Sequence, residues 1–541
     1  MKRDNDILLQ IIKQIFRLKN PSDSDIAKII SRNPSVSRKS FSKAEIITAF
    51  NKFSNALKIK SSDKKGFLEI IKMKRVRTLS GVTPVTILTK PYPCPGKCIY
   101  CPSDPKMPKS YLSSEPGAQR AASNNFDPYL QVYNRLAAYK NIGHPTDKVE
   151  LIILGGTWSF YPEKYQLWFM KRCFEAMNDF DPKKKTNYKN ISEKERGVSW
   201  EGLFKIQMIN EKSKSRCVGL VVETRPDYIS QSEIVKFRKF GVTKVQIGIQ
   251  SLSNKVLKVN RRGHNVETTA KAFMLLRLAG FKIQVHWMPN LLGSNLKADV
   301  QDFKKLFSDS RFKPDELKIY PCSLIDGTEL VKYFNKGKWL PYSDKELLYV
   351  LKNCLLLTPR YCRINRVVRD ISSEDILVGN KKSNFRQIVE KDLEKNKKKI
   401  NEIRYREIKS EKIKAKDLKL KITVYKTATS LEYFLEYITS ADKIVGFLRL
   451  SLPKAKPFIK ELEGAGIIRE IHVYGQTLDI GMEDEGKAQH IGLGKRLIEK
   501  AKEITTKAGF SKLCVISSVG TREYYLHLGF KNGILYQLLN L

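Results

Sequence analysis

The sequence predicts an α/β protein in which six β/α units form a partial, TIM-like (βα)6 barrel and a smaller α/β domain follows. Six short β-rich runs between residues 82 and 321 alternate with stretches of helical periodicity, which is the pattern of a parallel sheet. Beyond residue 419, three strand-like runs precede a glycine-containing turn and an amphipathic helix. We therefore predict a barrel domain at residues 75–384 and a second domain at residues 420–541.

Two further segments flank the barrel. Residues 1–74 show apolar positions at helical spacing among many lysines, so they predict a small basic helical segment. Residues 385–419 are dense in charge and poor in apolar side chains, which predicts a linker or a bridging helix. In a parallel sheet, functional side chains lie at the carboxyl ends of the strands. The six predicted strands are VTPVTILTK, VELIILGG, VGLVVET, KVQIGIQ, KIQVHWMP and ELKIYP.

The composition narrows the class of partner and the compartment. Lys and Arg number 99 against 56 Asp and Glu, and the formal net charge of +43 predicts a polyanionic partner such as nucleic acid. The alternative is a set of solvated lysines on helix surfaces. The N-terminus lacks the apolar core of a signal peptide, and no apolar run is long enough to cross a membrane. Nine cysteines, three of them clustered, do not resemble a secreted disulfide framework, so we expect a reducing cytoplasm and no membrane partner.

Three cysteines cluster directly after the first predicted strand. Cys94, Cys98 and Cys101 lie in CPGKCIYC, and three thiolates leave one iron of a [4Fe–4S] cluster free to chelate a small molecule. A zinc knuckle is the alternative, but zinc normally takes four protein ligands and this loop has no fourth Cys or His. With the aromatic Tyr100 beside the last cysteine, the motif predicts a radical S-adenosylmethionine site.

Polar and glycine residues follow the next three strands on the same predicted face. Gly155, Gly156 and Thr157 let the backbone approach the amine of a ligand, although a tight strand-to-helix turn is the alternative. Glu223, in ETRPD, and Gln250 end the third and fourth strands. We expect Glu223 to hold the adenosyl ribose or the amino group; the alternative is a plain turn carboxylate.

A second ligand loop is predicted near the C-terminus. The loop QHIGLG opens a helix whose free backbone amides can bind the pyrophosphate of coenzyme A. The order of strand, loop, helix, strand and short helix is that of the GNAT acetyltransferases. Tyr524 and Tyr525 face the acyl group in this interpretation, although packing of one of the two is the alternative. The predicted acetyl-CoA residues are Gln489, His490, Ile491, Gly492, Leu493, Gly494 and Lys495.

From residue 76 to residue 541 the chain resembles the catalytic subunit of Elongator, a family of radical S-adenosylmethionine and acetyltransferase proteins that modify tRNA wobble uridines. The cysteine spacing is similar to that of prokaryotic members, which act without the other Elongator subunits. The motifs that carry the resemblance are VRTLSGVTPVTILTKPYPCPGKCIYCP (76–102), FDPY (126–129), LGGTW (154–158), ETRPD (223–227), IGIQS (247–251), LKIYP (317–321), REIHVYG (469–475), QHIGLG (489–494) and ISSVGTREYY (516–525).

The resemblance implies a specific chemistry. A 5′-deoxyadenosyl radical removes hydrogen from the acetyl methyl of acetyl-CoA, the carbon radical adds to carbon 5 of the wobble uridine, and thioester hydrolysis leaves 5-carboxymethyluridine. Lys318 and Tyr320 match positions that line the family's cleft and orient the base or the acyl group, with an ordinary role at the barrel rim as the alternative. Basic residues of the N-terminal segment and of residues 72–77 are expected to meet phosphates of the anticodon stem-loop.

The resemblance leaves a zinc site open. Family members carry zinc on cysteines late in the radical domain, where this chain has Cys322, Cys354 and Cys362. However, the family's cysteine shortly before the RxRE motif is replaced here, because Ile400 and Asn401 occupy that stretch. The remaining cysteines, which are predicted to be core residues, are Cys173, Cys217 and Cys514.

Two other functions compete with tRNA modification. One is a protein lysine acetyltransferase in which the radical domain serves only structure or regulation. The other is an RNA-binding module with two degenerate active sites. The intact cysteine motif, glycine loop and ETRPD carboxylate argue against degeneracy.

Overall fold

A computed structural model describes most of the 541-residue chain. The described residues form an N-terminal group of helices, a parallel half-barrel and a C-terminal mixed sheet. No helix in these parts of the chain is long and apolar enough to cross a membrane. The residues described are 2–18, 21–36, 40–54, 59, 61–72, 78, 81–181, 188, 198–408, 417–474 and 492–541.

Four N-terminal helices share a hydrophobic core of their own. They are α1 (Lys2–Phe16), α2 (Asp23–Arg32), α3 (Lys43–Phe53) and α4 (Ser61–Ile71). Capping boxes start two of them, because Ser22 and Ser42 exchange hydrogen bonds with Asp25 and Glu45. Lys72, which the sequence analysis expected to meet phosphates, is buried, and residues 73–77 lie outside the described residues. The shared apolar positions include Ile11, Ile46, Phe50 and Phe67.

All six predicted barrel strands are present, and a seventh joins them. The seventh strand of the sheet is β8, and two short strands, β7 and β9, lie outside the sheet. In chain order the strands of this region are β1 (Val82–Leu88), β2 (Lys148–Leu154), β3 (Arg216–Thr224), β4 (Lys244–Gln250), β5 (Lys282–Trp287), β6 (Glu316–Ile319), β7 (Leu324–Ile325), β8 (Arg363–Val367) and β9 (Ile376–Val378). The parallel sheet has the order β1-β2-β3-β4-β5-β6-β8, whereas β7 and β9 form a separate antiparallel pair. The seventh strand, β8, is not evident from the sequence because its run, RINRV, has two arginines and an asparagine beside only two apolar residues.

Helices cover the outer face of the half-barrel and end where the sequence has capping residues. For example, the helix at 231–240 begins after Ser230, whose side chain accepts from Glu233 N, and ends at Gly241. The helices are α5 (Pro116–Ser123), α6 (Pro128–Asn141), α7 (Glu163–Asp179), α8 (Trp200–Lys212), α9 (Gln231–Phe240), α10 (Asn254–Val259), α11 (Val266–Leu278), α12 (Leu296–Ser308), α13 (Leu330–Asn335), α14 (Asp344–Leu357), α15 (Phe385–Lys395) and α16 (Ile403–Arg406).

The segment treated as a linker in the sequence analysis packs against the barrel over its first half. In α15, Phe385, Val389 and Leu393 are buried at a spacing of four residues, which gives a narrow apolar stripe among the charges. Ile403, in α16, is also buried. Residues 409–416 lie outside the described residues, and the domain boundaries stay predictions.

The C-terminal domain is a seven-stranded sheet with one long helix against it. Its elements are β10 (Lys419–Lys426), β11 (Ser430–Ile438), β12 (Ile444–Pro453), β13 (Ala465–Val473), α17 (Leu493–Lys507), β14 (Lys512–Val515), α18 (Arg522–Leu526), β15 (Lys531–Asn532) and β16 (Gln537–Asn540). The order is β10-β11-β12-β13-β14-β16-β15, and β13 and β14 run parallel. They pair only over 465–468 and 512–515, so β13 extends beyond its partner.

A buried carboxylate joins the two large domains. Asp315, just before β6, has no exposed surface and accepts hydrogen bonds from both terminal nitrogens of Arg469 at 2.7 Å. Arg277 Nη1 approaches it at 3.3 Å and Arg449 Nη1 at 3.5 Å. Burial alone would raise the pKa of Asp315, but the three guanidinium groups outweigh it and hold the pKa well below its usual range.

This junction sets which end of the barrel the C-terminal sheet covers. Asp315 precedes β6, and Lys282, the first residue of β5, donates to Glu470 of β13 at 2.5 Å. Both contacts lie at the N-terminal ends of the barrel strands. The cysteine loop follows β1 and therefore lies at the opposite, C-terminal end.

We predict that Asp315→Asn destabilises the protein strongly. The change removes the charge that three buried arginines share, and breaking a buried ion pair costs about 3–5 kcal/mol. Asp309→Asn is the matched control, because Asp309 pairs with the exposed Arg311 and such pairs contribute about 1 kcal/mol or less. Urea unfolding measures both variants; equal losses would contradict the role given to Asp315.

Candidate active site

The three predicted cluster cysteines lie together in the loop after β1. Cys94, Cys98 and Cys101 are half-buried and carry free thiols. Arg262 Nη1 donates to Cys98 Sγ at 3.5 Å, and Thr157 Oγ1 lies 3.8 Å from Cys94 Sγ. Burial and the neighbouring Cys98 raise the pKa of the Cys101 thiol to about 11, so a bound cation is needed to favour its thiolate at neutral pH.

The surroundings of these thiols fit an iron–sulfur cluster. Among the described residues, no three His, Cys, Asp or Glu side chains are grouped as ligands of a single metal ion. A four-iron cluster places each cysteine on a different iron. Arg225 Nη1 and Arg262 Nε are buried without hydrogen-bond partners, and a side chain at Gly96 would collide with Arg225. These cations balance the negative charge that thiolates bring.

The glycine motif after β2 lies beside the cysteine loop. Gly155 and Gly156 have φ values of 133° and 87°, which favour glycine. A side chain at Gly155 would also collide with Thr89. The turn therefore places the buried Thr157 next to Cys94, and the predicted cofactor residues Gly155, Gly156 and Thr157 border the cysteine loop.

Glu223 and Gln250 occupy the C-terminal ends of β3 and β4, on the side of the cysteine loop. Tyr111 donates its hydroxyl hydrogen to Glu223 Oε2 at 3.3 Å, and burial raises the pKa of the Glu223 carboxyl. Gln250 adopts a φ of 66°, and its Oε1 is buried without a partner. Both side chains are available to a ligand in the cleft.

Lys318 lies deep in the same cleft. Its ammonium group donates to Gln246 Oε1 at 2.6 Å, and His286 Nε2 lies 3.1 Å from the same oxygen. His286 Nδ1 is in turn 3.6 Å from Glu223 Oε1. Burial lowers the pKa of Lys318 to about 8, while Glu223 acts in the opposite direction. Tyr320 packs edge-on against His286, and burial raises its pKa to about 12.

The cleft contains residues that the sequence analysis did not identify. Gln246 and His286 stand among apolar residues in KVQIGIQ and KIQVHWMP, so asking which polar side chains face into the barrel would have found them. Two further residues of the cleft are arginines: Arg366 lies in β8, which the sequence did not indicate, and Arg369 comes two residues after this strand. Arg369 pairs with Glu115 at 2.8 Å and stacks on Tyr111.

The predicted acetyl-CoA loop is only partly described. Gln489, His490 and Ile491 lie outside the described residues, whereas Gly492 precedes α17, Leu493 is buried and Lys495 is exposed. A Cβ atom on Gly494 would lie 2.7 Å from the hydroxyl of Tyr524, so Tyr524 reaches the start of α17.

The two predicted tyrosines differ in environment. Tyr524 is 44% exposed, but Tyr525 is buried against Phe530 at a ring distance of 5.5 Å. Burial raises the pKa of both phenols. Tyr524 is thus the exposed ring of the two, and Tyr525 packs in the core.

The cysteines considered for zinc are dispersed in apolar cores. Cys354 and Cys362 belong to the main core, whereas Cys322 lies in a separate cluster with Leu324 and Trp339. Burial raises the pKa of all three thiols. The three cysteines therefore pack as apolar side chains in the described part of the chain. The other core cysteines, Cys173, Cys217 and Cys514, are fully buried.

Similar proteins identify the family. Residues 92–306 match the Radical SAM superfamily, and residues 314–395 match the Radical_SAM C-terminal domain. The chain is 39% identical over 488 residues to the tRNA uridine(34) acetyltransferase of Methanocaldococcus infernus, which covers 87% of each chain. The chain belongs to the tRNA uridine(34) acetyltransferase family. This confirms the resemblance and the radical S-adenosylmethionine domain inferred from the motifs.

Other members of the tRNA uridine(34) acetyltransferase family and its eukaryotic relatives cover most of the chain. The Dehalococcoides mccartyi enzyme is 39% identical over 467 residues, which are 85% of this chain and 98% of that protein. Human Elongator complex protein 3 is 32% identical over 485 residues, 85% and 84% of the two chains. The structure of Methanocaldococcus infernus Elp3 with an N-terminal deletion (1–46) superposes with a TM-score of 0.72 at 36% identity, covering 85% of this chain and 100% of that one. Membership of the radical SAM superfamily implies a [4Fe–4S] cluster and S-adenosylmethionine.

We predict that Cys98→Ser prevents cluster assembly. A serine hydroxyl is a far poorer iron ligand than a thiolate, so anaerobic reconstitution with iron and sulfide should leave much less iron per chain and little visible absorption. Cys322→Ala is the control and should keep the iron content of the unaltered protein. Full iron loading of Cys98→Ser would show that this loop does not hold the cluster.

Proposed function

We propose that this protein modifies the wobble uridine of tRNA by attaching the acetyl carbon of acetyl-CoA to carbon 5 in place of its hydrogen. The adduct loses the carbon 5 proton and one electron, which balances the electron consumed in cleaving S-adenosylmethionine, and thioester hydrolysis releases coenzyme A and leaves 5-carboxymethyluridine. The observation that carries the proposal is the cleft at the C-terminal ends of the barrel strands, where Glu223, His286, Gln246 and Lys318 are linked on the side of the cysteine loop, in a chain 39% identical to tRNA uridine(34) acetyltransferases. The C-terminal domain presents acetyl-CoA to this chemistry rather than transferring the acetyl group to an amine.

The radical chemistry depends on how the chain holds the cofactors. A [4Fe–4S] cluster bound by Cys94, Cys98 and Cys101 would, with S-adenosylmethionine, supply the radical that removes hydrogen from the acetyl methyl. Glu223 and Gln250 offer acceptors for the adenosyl ribose or the amino group of the ligand. The buried cations beside the cysteine loop favour the thiolate forms.

Lys318 and Tyr320 orient the reacting carbonyl group. As an ammonium ion, Lys318 donates a hydrogen bond to a uracil or thioester oxygen, and its contact with Gln246 limits its rotation. The Tyr320 phenol stays protonated at neutral pH because burial raises its pKa to about 12, so it acts as a second donor. His286 packs against Tyr320 and contacts Gln246, which holds both donors in place.

The start of α17 is the expected site of the coenzyme A pyrophosphate. The free amides at residues 492–495 favour an anion there. Beyond residue 468, β13 has no pairing with β14, which leaves room for the pantetheine arm. The exposed Tyr524, whose hydroxyl lies near Gly494, is the residue that we expect to contact the thioester.

tRNA is the proposed macromolecular partner, without other Elongator subunits. The net charge of +43 supports binding to phosphates. The N-terminal helices expose basic side chains that contribute affinity rather than sequence readout. These exposed residues include Lys13, Arg17, Lys28, Arg32 and Lys52.

We predict that the anaerobically reconstituted protein forms 5-carboxymethyluridine when it is given a reductant, S-adenosylmethionine, acetyl-CoA and bulk tRNA. Mass spectrometry of digested nucleosides measures the product. Parallel incubation with a histone or a lysine-rich protein tests amine acetylation. Acetylated protein without modified uridine would establish a protein acetyltransferase instead, and tRNA binding without either product would establish an RNA-binding module.

We predict that product formation falls as pH rises through about 8. The ammonium form of Lys318 predominates below its pKa and is lost above it, so the hydrogen bond to the reacting carbonyl disappears at high pH. Lys318→Arg keeps a cation at high pH and should remove this alkaline fall, even if its rate is lower. An unchanged alkaline limb in Lys318→Arg would contradict the role given to the ammonium group.

A further inference from the structure

Three aromatic side chains line the rim of the barrel next to the cysteine loop. The ring of Phe160 lies 5.9 Å from that of Tyr92 and 5.9 Å from that of Tyr228. Phe160 is 36% exposed, and the other two rings are half-buried. We call Tyr92, Phe160 and Tyr228 the aromatic rim. A group of rings at the surface is unusual because such rings normally pack in a core.

The aromatic rim packs against buried aromatic side chains. Tyr92 stacks on Tyr161 at 4.8 Å, and Tyr161 stacks on the buried Tyr165 at 5.1 Å. Tyr161 also donates its hydroxyl hydrogen to Lys90 O at 2.8 Å. Ser159, which precedes Phe160, accepts a hydrogen bond from Thr224 at the end of β3. The rings of the aromatic rim therefore keep fixed positions, which lowers the entropy cost of stacking a ligand on them.

The position of the aromatic rim relates it to the chemistry. Its residues follow β1, β2 and β3, so they lie at the barrel end that carries the cysteine loop. Tyr92 is two residues before Cys94. Phe160 N donates to Thr157 O at 3.0 Å, and Thr157 Oγ1 lies 3.8 Å from Cys94 Sγ. Exposed lysines flank the rim in sequence, at Lys97 and Lys164.

We propose that the aromatic rim binds unstacked bases of the RNA loop that flank the base being modified. The inference rests on the proposed function. Chemistry on a base inside a loop requires that base to leave the stack, and its neighbours then expose faces that flat aromatic side chains can hold. The nearby lysines suit the phosphates of the same loop, so the charge and the rings favour one occupant.

The test measures binding of an anticodon stem-loop RNA to the full-length, reconstituted protein. Phe160→Ala should weaken binding at least about fivefold, the lower limit for losing one base–aromatic stack. Phe160→Trp should bind the RNA about as tightly as the unaltered protein because it keeps a flat ring. Phe160→Leu should bind as weakly as Phe160→Ala because it has no ring. Phe204→Ala is the matched control, since Phe204 is 40% exposed on α8 and its ring contacts Trp200 rather than a ring of the aromatic rim.

Two further readouts separate this proposal from other roles of the rings. The affinity for S-adenosylmethionine and the visible absorption of the cluster should stay unchanged in Phe160→Ala. Loss of either would make the ring a wall of the cofactor pocket and overturn the proposal. Slower reduction of the cluster by a flavodoxin, with unchanged RNA affinity, would assign the surface to an electron donor and also overturn it.

The outcome for the aromatic rim is distinguishable from that of the proposed function. If Phe160→Ala and the unaltered protein bind the stem-loop with equal affinity, the proposed role of the aromatic rim is wrong even if the protein modifies tRNA. Equal weakening for a fully paired RNA duplex overturns it as well, because a duplex offers no unstacked bases. Failure of the unaltered protein to modify tRNA overturns the proposed function, while the binding comparison still tests the rim.

Discussion

The contact of Asp315 with three arginines is the interaction on which the architecture depends. Arg277 comes from the barrel, whereas Arg449 and Arg469 come from neighbouring strands of the C-terminal sheet. Because all of these groups are buried, each charge is stabilised by its oppositely charged partners rather than by water. The sheet cannot separate from the barrel without breaking these ion pairs. The carboxylate therefore fixes both the contact between the domains and the end of the barrel that the sheet covers.

That placement puts the two proposed ligand sites at different ends of the same strands. A strand such as β5, with six residues, spans about 17 Å at ~3.3 Å per residue. The barrel interior between the ends is polar, since Lys244 contacts Glu150 at 2.7 Å and Glu316 at 3.2 Å, and Gln284 donates to Glu316. In the proposed reaction the acyl group would have to cross this distance to reach the cysteine loop, and the contact through Asp315 keeps the distance fixed.

The sequence was most informative where chemistry restricts residue type. Three cysteines at fixed spacing, glycines in a turn and alternating apolar strands follow from ligand chemistry, backbone sterics and burial, and the structure brings these residues together. Residues that depend on long-range packing were not predictable. Arg369 reaches the cleft from a strand whose apolar content is low, and α15 is buried through a stripe of three residues that its charges conceal. The partners of Asp315 are separated by up to 192 residues in sequence, so no local pattern indicates them.

Deuterium transfer tests the central claim most directly. The reconstituted protein would be incubated with tRNA, S-adenosylmethionine and acetyl-CoA deuterated at the acetyl methyl, and 5′-deoxyadenosine would be analysed by mass spectrometry. If the acetyl carbon is activated at the cysteine loop and joined to uridine, 5′-deoxyadenosine gains deuterium and the modified uridine keeps the remaining label. Unlabelled 5′-deoxyadenosine alongside labelled acetyl groups on protein lysines would contradict the account.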